Sequence, residues 1–163
     1  MLLFFIAQMT AWADSCKAEN LNTQEMNYTI YMCDYGFEKE VEAATAWWNN
    51  RGANIKLVDG VFNCNEDPRY AEIHIQFNNN EVKKFNTSIS TAYAATIRTH
   101  ISSKYGTVES SNIYLSTDLK NNKFKMKTFI FHEIGHAIGY EHVPESCNSY
   151  IMNPYINYMG SKL

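Results

Sequence analysis

The chain has 163 residues, which is enough for one domain with a sizeable hydrophobic core. Its net charge of −3 and its 14 scattered lysines and arginines argue against a nucleic-acid-binding protein. The 4 cysteines are an even number in a short chain, which is typical of disulfide bonding outside the cytoplasm. We therefore expect a secreted or periplasmic protein without a nucleic-acid partner.

The N-terminal residues have the pattern of a signal peptide. An apolar run, LLFFIA, begins at Leu2, and Ala11-Trp12-Ala13 has the form of an A-x-A cleavage site. The run is too short to span a bilayer. We expect residues 1–13 to be a signal peptide and residues 14–163 to be one domain. The alternative is that the apolar run forms a first strand of the fold.

Periodic patterns of apolar residues predict five strands and two main helices, which together make one α/β sandwich. The predicted elements are a strand at 28–32, a helix at 38–51, a strand at 54–58 ended by a turn at 59–60, a strand at 71–77, a polar loop at 78–88, strands at 91–97 and 112–116, and a helix at about 125–138.

The strand at 71–77 alternates between apolar and polar residues. Ile73, Ile75 and Phe77 fall on one side, and His74 falls on the other with polar neighbours. This pattern is typical of a half-buried strand with one face in solvent. We therefore expect His74 to be a surface residue and not a metal ligand.

A run with the sequence HEIGHAIGYEH carries the chemistry of the chain. His136 follows His132 by four residues, so both imidazoles project from one face of a helix. Gly139 can end that helix with a positive φ, which lets the chain return and bring His142 to the same point. Three histidines leave the fourth position of a tetrahedral zinc ion open, and Glu133 is the candidate general base. The run therefore predicts one catalytic zinc ion.

The pattern HExxHxxGxxH, followed by Met152 ten residues after His142, resembles the signature and Met-turn of the metzincin metallopeptidases. The early tryptophan-rich helix, the order of the strands and Pro154 after Met152 are similar to the matrixin branch. In these enzymes the methionine forms an apolar floor beneath the metal. The resemblance implies a mixed, mostly parallel, twisted five-stranded sheet with two main helices, a Met-turn and a short C-terminal segment.

The resemblance implies a monomeric zinc endopeptidase that acts on an extended peptide or protein, with Glu133 as the base. The substrate is expected to lie antiparallel to the strand at 91–97, beside a pocket walled by residues 153–155. The residues expected to contact it are Ala92, Tyr93, Ala94, Pro154 and Tyr155, with Tyr158 as a further candidate. Two alternatives stay open: an inactive zinc-binding module for adhesion or inhibitor binding, and a zinc hydrolase that acts on other substrates.

Matrixins also bind a second, structural zinc ion and calcium. Their structural zinc is not expected, because the span 78–119 contains a single histidine, His100. A calcium site at Asp118 is left open, because one carboxylate is weak evidence for calcium.

The resemblance also implies a disulfide pattern. In a matrixin-like sheet the first two strands are parallel neighbours, so Cys33 and Cys64 at their ends come close. By the same resemblance the mature N-terminus packs near the segment below the active site, which favours a bridge between Cys16 and Cys147. A Cys16–Cys33 bridge remains an alternative, as does a free Cys16 that blocks the zinc as a fourth ligand.

Overall fold

A computed structural model describes residues 16–22, 25–87, 91–102 and 107–155 of the chain. The predicted signal peptide at 1–13 and the candidate Tyr158 lie outside these residues. The elements are β1 (Asn27–Met32), α1 (Glu38–Asn49), β2 (Asn54–Val61), β3 (Glu72–Phe77), α2 (Asn79–Lys83), β4 (Ala94–Ser102), β5 (Thr107–Leu115), a 3-10 helix (Thr117–Asn121) and α3 (Lys123–Ala137).

The five strands form one sheet in the order β2-β1-β3-β5-β4. β1 pairs in parallel with β2 and with β3, and β3 pairs in parallel with β5. β4 lies at the edge of the sheet and runs antiparallel to β5. α1 is the crossover between the neighbouring strands β1 and β2. The predicted mixed, mostly parallel sheet with two main helices is therefore confirmed.

The hydrophobic core lies between the sheet and the two long helices, α1 and α3. The indole nitrogen of Trp48 on α1 donates a hydrogen bond to the carbonyl of Phe131 on α3 at 2.9 Å, inside this core. Each fully buried aliphatic side chain contributes about 1.5–3 kcal/mol to folding. The largest such aliphatic residues of the strands and of α3 are Ile30, Ile73, Ile75, Ile113, Leu115, Ile130 and Ile134. α3 is thus fixed firmly against the sheet.

The residues before β1 form an N-terminal strap, residues 16–22, which lies against the end of the histidine-rich run. The backbone amide of Leu21 donates to the carbonyl of Gly139 at 2.9 Å, and the amide of Glu141 donates to the carbonyl of Glu19 at 2.8 Å. Cys16 at the start of the strap is bonded to Cys147. The strap therefore supports the chain between the second and third histidines of the run.

Both disulfides join the cysteines that the resemblance pairs. The Cα atoms are 5.7 Å apart in Cys16–Cys147 and 5.6 Å apart in Cys33–Cys64, within the usual range. The alternatives of a Cys16–Cys33 bridge and of a free Cys16 are therefore wrong. No helix in the described part of the chain is long and apolar enough to cross a membrane.

The prediction of a polar loop over 78–88 is wrong, because α2 begins there. The side chain of Asn78 accepts hydrogen bonds from the backbone amides of Asn80 and Glu81, which is an N-cap. The predicted turn at 59–60 is also wrong. β2 continues through those residues to Val61, and a shift of register against β1 accommodates them.

Several boundaries differ from the prediction by a few residues. α1 ends at Asn49, two residues early, and α3 begins at Lys123. The two strands before α3 differ more. β4 covers Ala94–Ser102 where 91–97 is predicted, and β5 covers Thr107–Leu115 where 112–116 is predicted.

His74 is not the surface residue that the alternation predicts, since it is only 8 % exposed. Its ring packs edge-on against Tyr31, with ring centres 5.7 Å apart, and the chain between β2 and β3 borders it. The Cys33–Cys64 bridge ties that chain to the end of β1. Both faces of β3 are therefore covered, and burial lowers the pKa of the His74 imidazole.

Candidate metal centre

α3 presents His132 and His136 from one face, as the spacing predicts. Asn122 is the N-cap of the helix, and its side chain accepts a hydrogen bond from the amide of Lys125 at 2.9 Å. Beyond its end, Gly139 has a φ of 102°, and a Cβ there would lie 2.7 Å from the side-chain oxygen of Asn20 in the strap. A glycine is therefore needed both for the turn and for the close approach of the strap.

The three histidines converge on one point. The Nε2 atoms of His132 and His136 are 3.0 Å apart, and each lies 3.0–3.2 Å from Nε2 of His142. Nδ1 of His132 donates to the carbonyl of Ile151 at 2.7 Å, and Nδ1 of His136 donates to the carbonyl of Tyr140 at 2.8 Å. Because a carbonyl only accepts, these two Nδ1 atoms carry the protons, and their Nε2 atoms present lone pairs.

Lone pairs at this separation repel one another, and a cation between them removes the repulsion. Zinc binds imidazole nitrogen at about 2.0–2.1 Å, so tetrahedral ligands lie about 3.3 Å apart, close to the observed spacing. Burial lowers the pKa of His132 and of His136 to about 4 and also lowers that of His142. All three imidazoles are therefore neutral at pH 7, which is the form that binds metal, and the set fits zinc.

Glu133 lies beside the three histidines and is only 6 % exposed. Burial raises the pKa of its carboxyl group. The hydroxyl of Thr96 on β4 lies 2.6 Å from Glu133 Oε2 and 3.0 Å from the Glu133 carbonyl, and it donates to the nearer carboxylate oxygen. One oxygen of the carboxylate is thereby held toward β4.

Met152 packs directly against α3 beside the histidines. A Cβ placed on Gly135 would lie 2.4 Å from the Met152 sulfur and 2.7 Å from the Trp48 ring, so any larger residue would require these side chains to shift. The amide of Val143, next to the third histidine, donates to the carbonyl of Met152 at 3.0 Å. Met152 therefore lies against the helical turn that carries the first two histidines.

A cleft of about 380 Å³ opens onto the histidines between β4, α3 and the Met-turn. Four of the five residues that the resemblance implies as substrate contacts line it, namely Ala92, Tyr93, Ala94 and Pro154. Tyr155 is not among the lining residues and is 56 % exposed. The other lining residues are Phe85, Ala95, Thr96, Phe129, His132, Glu133, His136 and His142.

Sequence reasoning missed two side chains that contact the metal centre, Thr96 and Arg98. They lie two residues apart on one face of β4, together with Ala94. The sequence did contain a signal for these two residues. Both are polar and occupy alternate positions of a strand that begins with two alanines. Their partners on α3 are about forty residues away in the chain, so no local pattern identifies them.

The described residues contain a second cluster with metal-ligand chemistry, Cys33, Cys64 and His74. The two sulfur atoms of this cluster are bonded to each other in a disulfide, so they present no thiolates. The triad on α3 and the turn after it is therefore the better metal site.

The family model described as Matrixin matches residues 14–163, which is nearly the whole chain. No curated protein matches the chain.

Proposed function

The chain belongs to the matrixin family of zinc metallopeptidases, and we propose that it is a secreted zinc endopeptidase in which Glu133 is the general base. The observation that carries the proposal is the convergence of three imidazole nitrogens beside a buried carboxylate, at the floor of an open cleft. Two disulfides support a location outside the cytoplasm.

His132, His136 and His142 would hold the zinc, with Met152 as the apolar floor. Zinc, when bound, supplies a Lewis acid and makes a nucleophilic water available near neutral pH. The backbone carbonyls that accept from His132 and His136 fix the tautomer and orientation of both rings before metal arrives. The site is therefore preorganised for a metal with three protein ligands and one open position.

Glu133 would accept a proton from the attacking water and return it to the leaving amine. Its raised pKa suits both steps, because a base works best when its pKa lies near the operating pH. Thr96 donates to Oε2, so the other oxygen, Oε1, is free to take the proton. Thr96 thus reduces the number of orientations that the carboxylate can adopt.

The edge strand β4 would bind the substrate. An extended peptide adds to such an edge through backbone hydrogen bonds, and the cleft beside β4 leads to the histidines. Ala92, Tyr93 and Ala94 would contact the peptide on this side, and Pro154 on the opposite wall. Tyr155 is a weaker candidate, because its side chain faces solvent and not the cleft.

Digestion of casein and gelatin, with parallel metal analysis, tests the proposal. We expect one zinc per chain, proteolysis that a chelator stops and added zinc restores, and no proteolysis by Glu133→Gln with its zinc retained. Glu133→Gln is the matched control because it keeps the shape of the side chain and removes only the base. A zinc-loaded wild type that cleaves neither protein would instead support the inactive zinc-binding module.

A further inference from the structure

The turn between His136 and His142 carries two of the three ligands, and the side chain of Arg98 holds it from the side of β4. Its Nε donates to the carbonyl of His136 at 3.1 Å, and one terminal nitrogen donates to the carbonyl of Tyr140 at 3.1 Å. The other terminal nitrogen donates to the carboxylate of Glu141 at 2.5 Å. All three guanidinium nitrogens of Arg98 therefore donate hydrogen bonds to residues of this turn.

These contacts reach the ligands through shared groups. The carbonyl of Tyr140, which accepts from Arg98, also accepts from Nδ1 of His136 at 2.8 Å and so sets the orientation of that ring. Glu141, which pairs with Arg98, is the residue immediately before His142. Arg98 thus acts on His136 through the shared carbonyl of Tyr140. It acts on His142 through the adjacent residue, Glu141.

The Arg98 end of these contacts is largely shielded from water. The Arg98 side chain is only 17 % exposed, so water competes weakly for its donors. On the opposite side the strap holds the same turn by backbone hydrogen bonds from Leu21 and to Glu19. The side chain of Asn22 in the strap also donates to the carbonyl of Ile138 at 2.8 Å. The turn is therefore held from both sides, and Arg98 is its side-chain support on the side of β4.

We propose that Arg98 is a positioning residue of the metal centre, which holds the turn so that His136 and His142 face the metal. The inference rests on the proposed function only in taking the three histidines as zinc ligands. Removal of a residue that hydrogen-bonds to a metal ligand typically weakens metal binding by about 10–100-fold. A role limited to capping the end of α3 would instead change folding stability and leave zinc affinity unchanged.

The test compares the zinc affinity of folded Arg98→Met, Arg98→Lys and Arg51→Met, measured by competition with a chelating dye and by the rate of zinc loss to EDTA. Arg51 is the matched control, because it also donates to a carbonyl at a helix end, that of Trp47, and among the described residues it donates no hydrogen bond to the turn. We expect Arg98→Met to bind zinc about 10–100-fold more weakly. Arg98→Lys keeps the charge but not the fork, so a severalfold loss is expected, and Arg51→Met is expected to equal the wild type.

Thermal unfolding of the metal-free proteins shows whether a variant is also less stable than the wild type. This measurement distinguishes a loss of zinc affinity from a loss of folding stability. If Arg98→Met does not fold, Arg98→Lys decides, because its charge still compensates Glu141. Zinc binding by the folded Arg98 variants that equals the wild type would overturn the inference, and so would an equal loss in Arg51→Met. Zinc-loaded wild type that cleaves no peptide contradicts the proposed function but not this inference, whereas a wild type that binds no zinc overturns both.

Discussion

Replacement of Thr96 by valine removes one hydroxyl and keeps the shape of the side chain. The lost hydrogen bond joins the hydroxyl to Glu133 Oε2 at 2.6 Å, in a buried setting. Hydrogen bonds to charged groups contribute about 1.5–3 kcal/mol, and each 1.36 kcal/mol of barrier is a factor of ten in rate. We therefore expect kcat to fall by about 10–150-fold, with zinc content unchanged.

The assay is steady-state cleavage of a peptide substrate by zinc-saturated enzyme, with kcat and KM determined separately. Thr96→Ser restores the hydroxyl and is expected to recover most of the rate. Thr99→Val is the matched control, because Thr99 on the same strand bonds to the Ser110 hydroxyl at 2.9 Å and not to the site. The reasoning is refuted if Thr96→Val keeps the wild-type kcat while Glu133→Gln is inactive.

Three further predictions concern stability. Gly135→Ala places a methyl group 2.4 Å from the Met152 sulfur, and we expect it to lower the free energy of unfolding by about 1–3 kcal/mol. An unchanged denaturation midpoint would show that the Met152 side chain can move aside. The double variant Cys16→Ser, Cys147→Ser removes a crosslink that spans 131 residues. In denaturant titrations we expect its free energy of unfolding to be lower by about 2–5 kcal/mol. Stability equal to the wild type would mean that the bridge does not restrain the unfolded chain. Burial lowers the pKa of the two ligand histidines of α3 from 6.5 to about 4, so between these values the unfolded chain binds more protons than the native metal-free protein. The free energy of unfolding of metal-free protein should therefore fall as the pH drops through that window, and constant stability from pH 7 to 4 would contradict the burial of these rings.

The metal triad could be predicted from the sequence because its geometry is local. Helical spacing places His132 and His136 on one face, and Gly139 ends the helix as the spacing suggests. The mixed sheet and both disulfides followed from the resemblance to matrixins, and not from the composition. The helical spacing of the two histidines and the fold implied by the resemblance were therefore predicted correctly.

Most errors come from long-range contacts, and two come from local patterns, the turn predicted at 59–60 and the overlooked N-cap at Asn78. His74 is buried because a distant loop covers its face of the sheet, which alternation within one strand does not reveal. Thr96 and Arg98 act across the gap between β4 and α3, so their roles depend on tertiary packing. The helix after Asn78 did have a local signal, since Glu81 follows three residues later, but the asparagine-rich composition obscured it.

Zinc K-edge X-ray absorption of the zinc-loaded protein tests the central claim most directly. The account predicts three imidazole nitrogens and one oxygen from water, all at about 2.0–2.1 Å from the metal. Replacement of any one of His132, His136 and His142 by alanine should remove one imidazole from this set. A sulfur ligand at about 2.3 Å, or a fourth imidazole in place of the oxygen, would contradict an open catalytic centre.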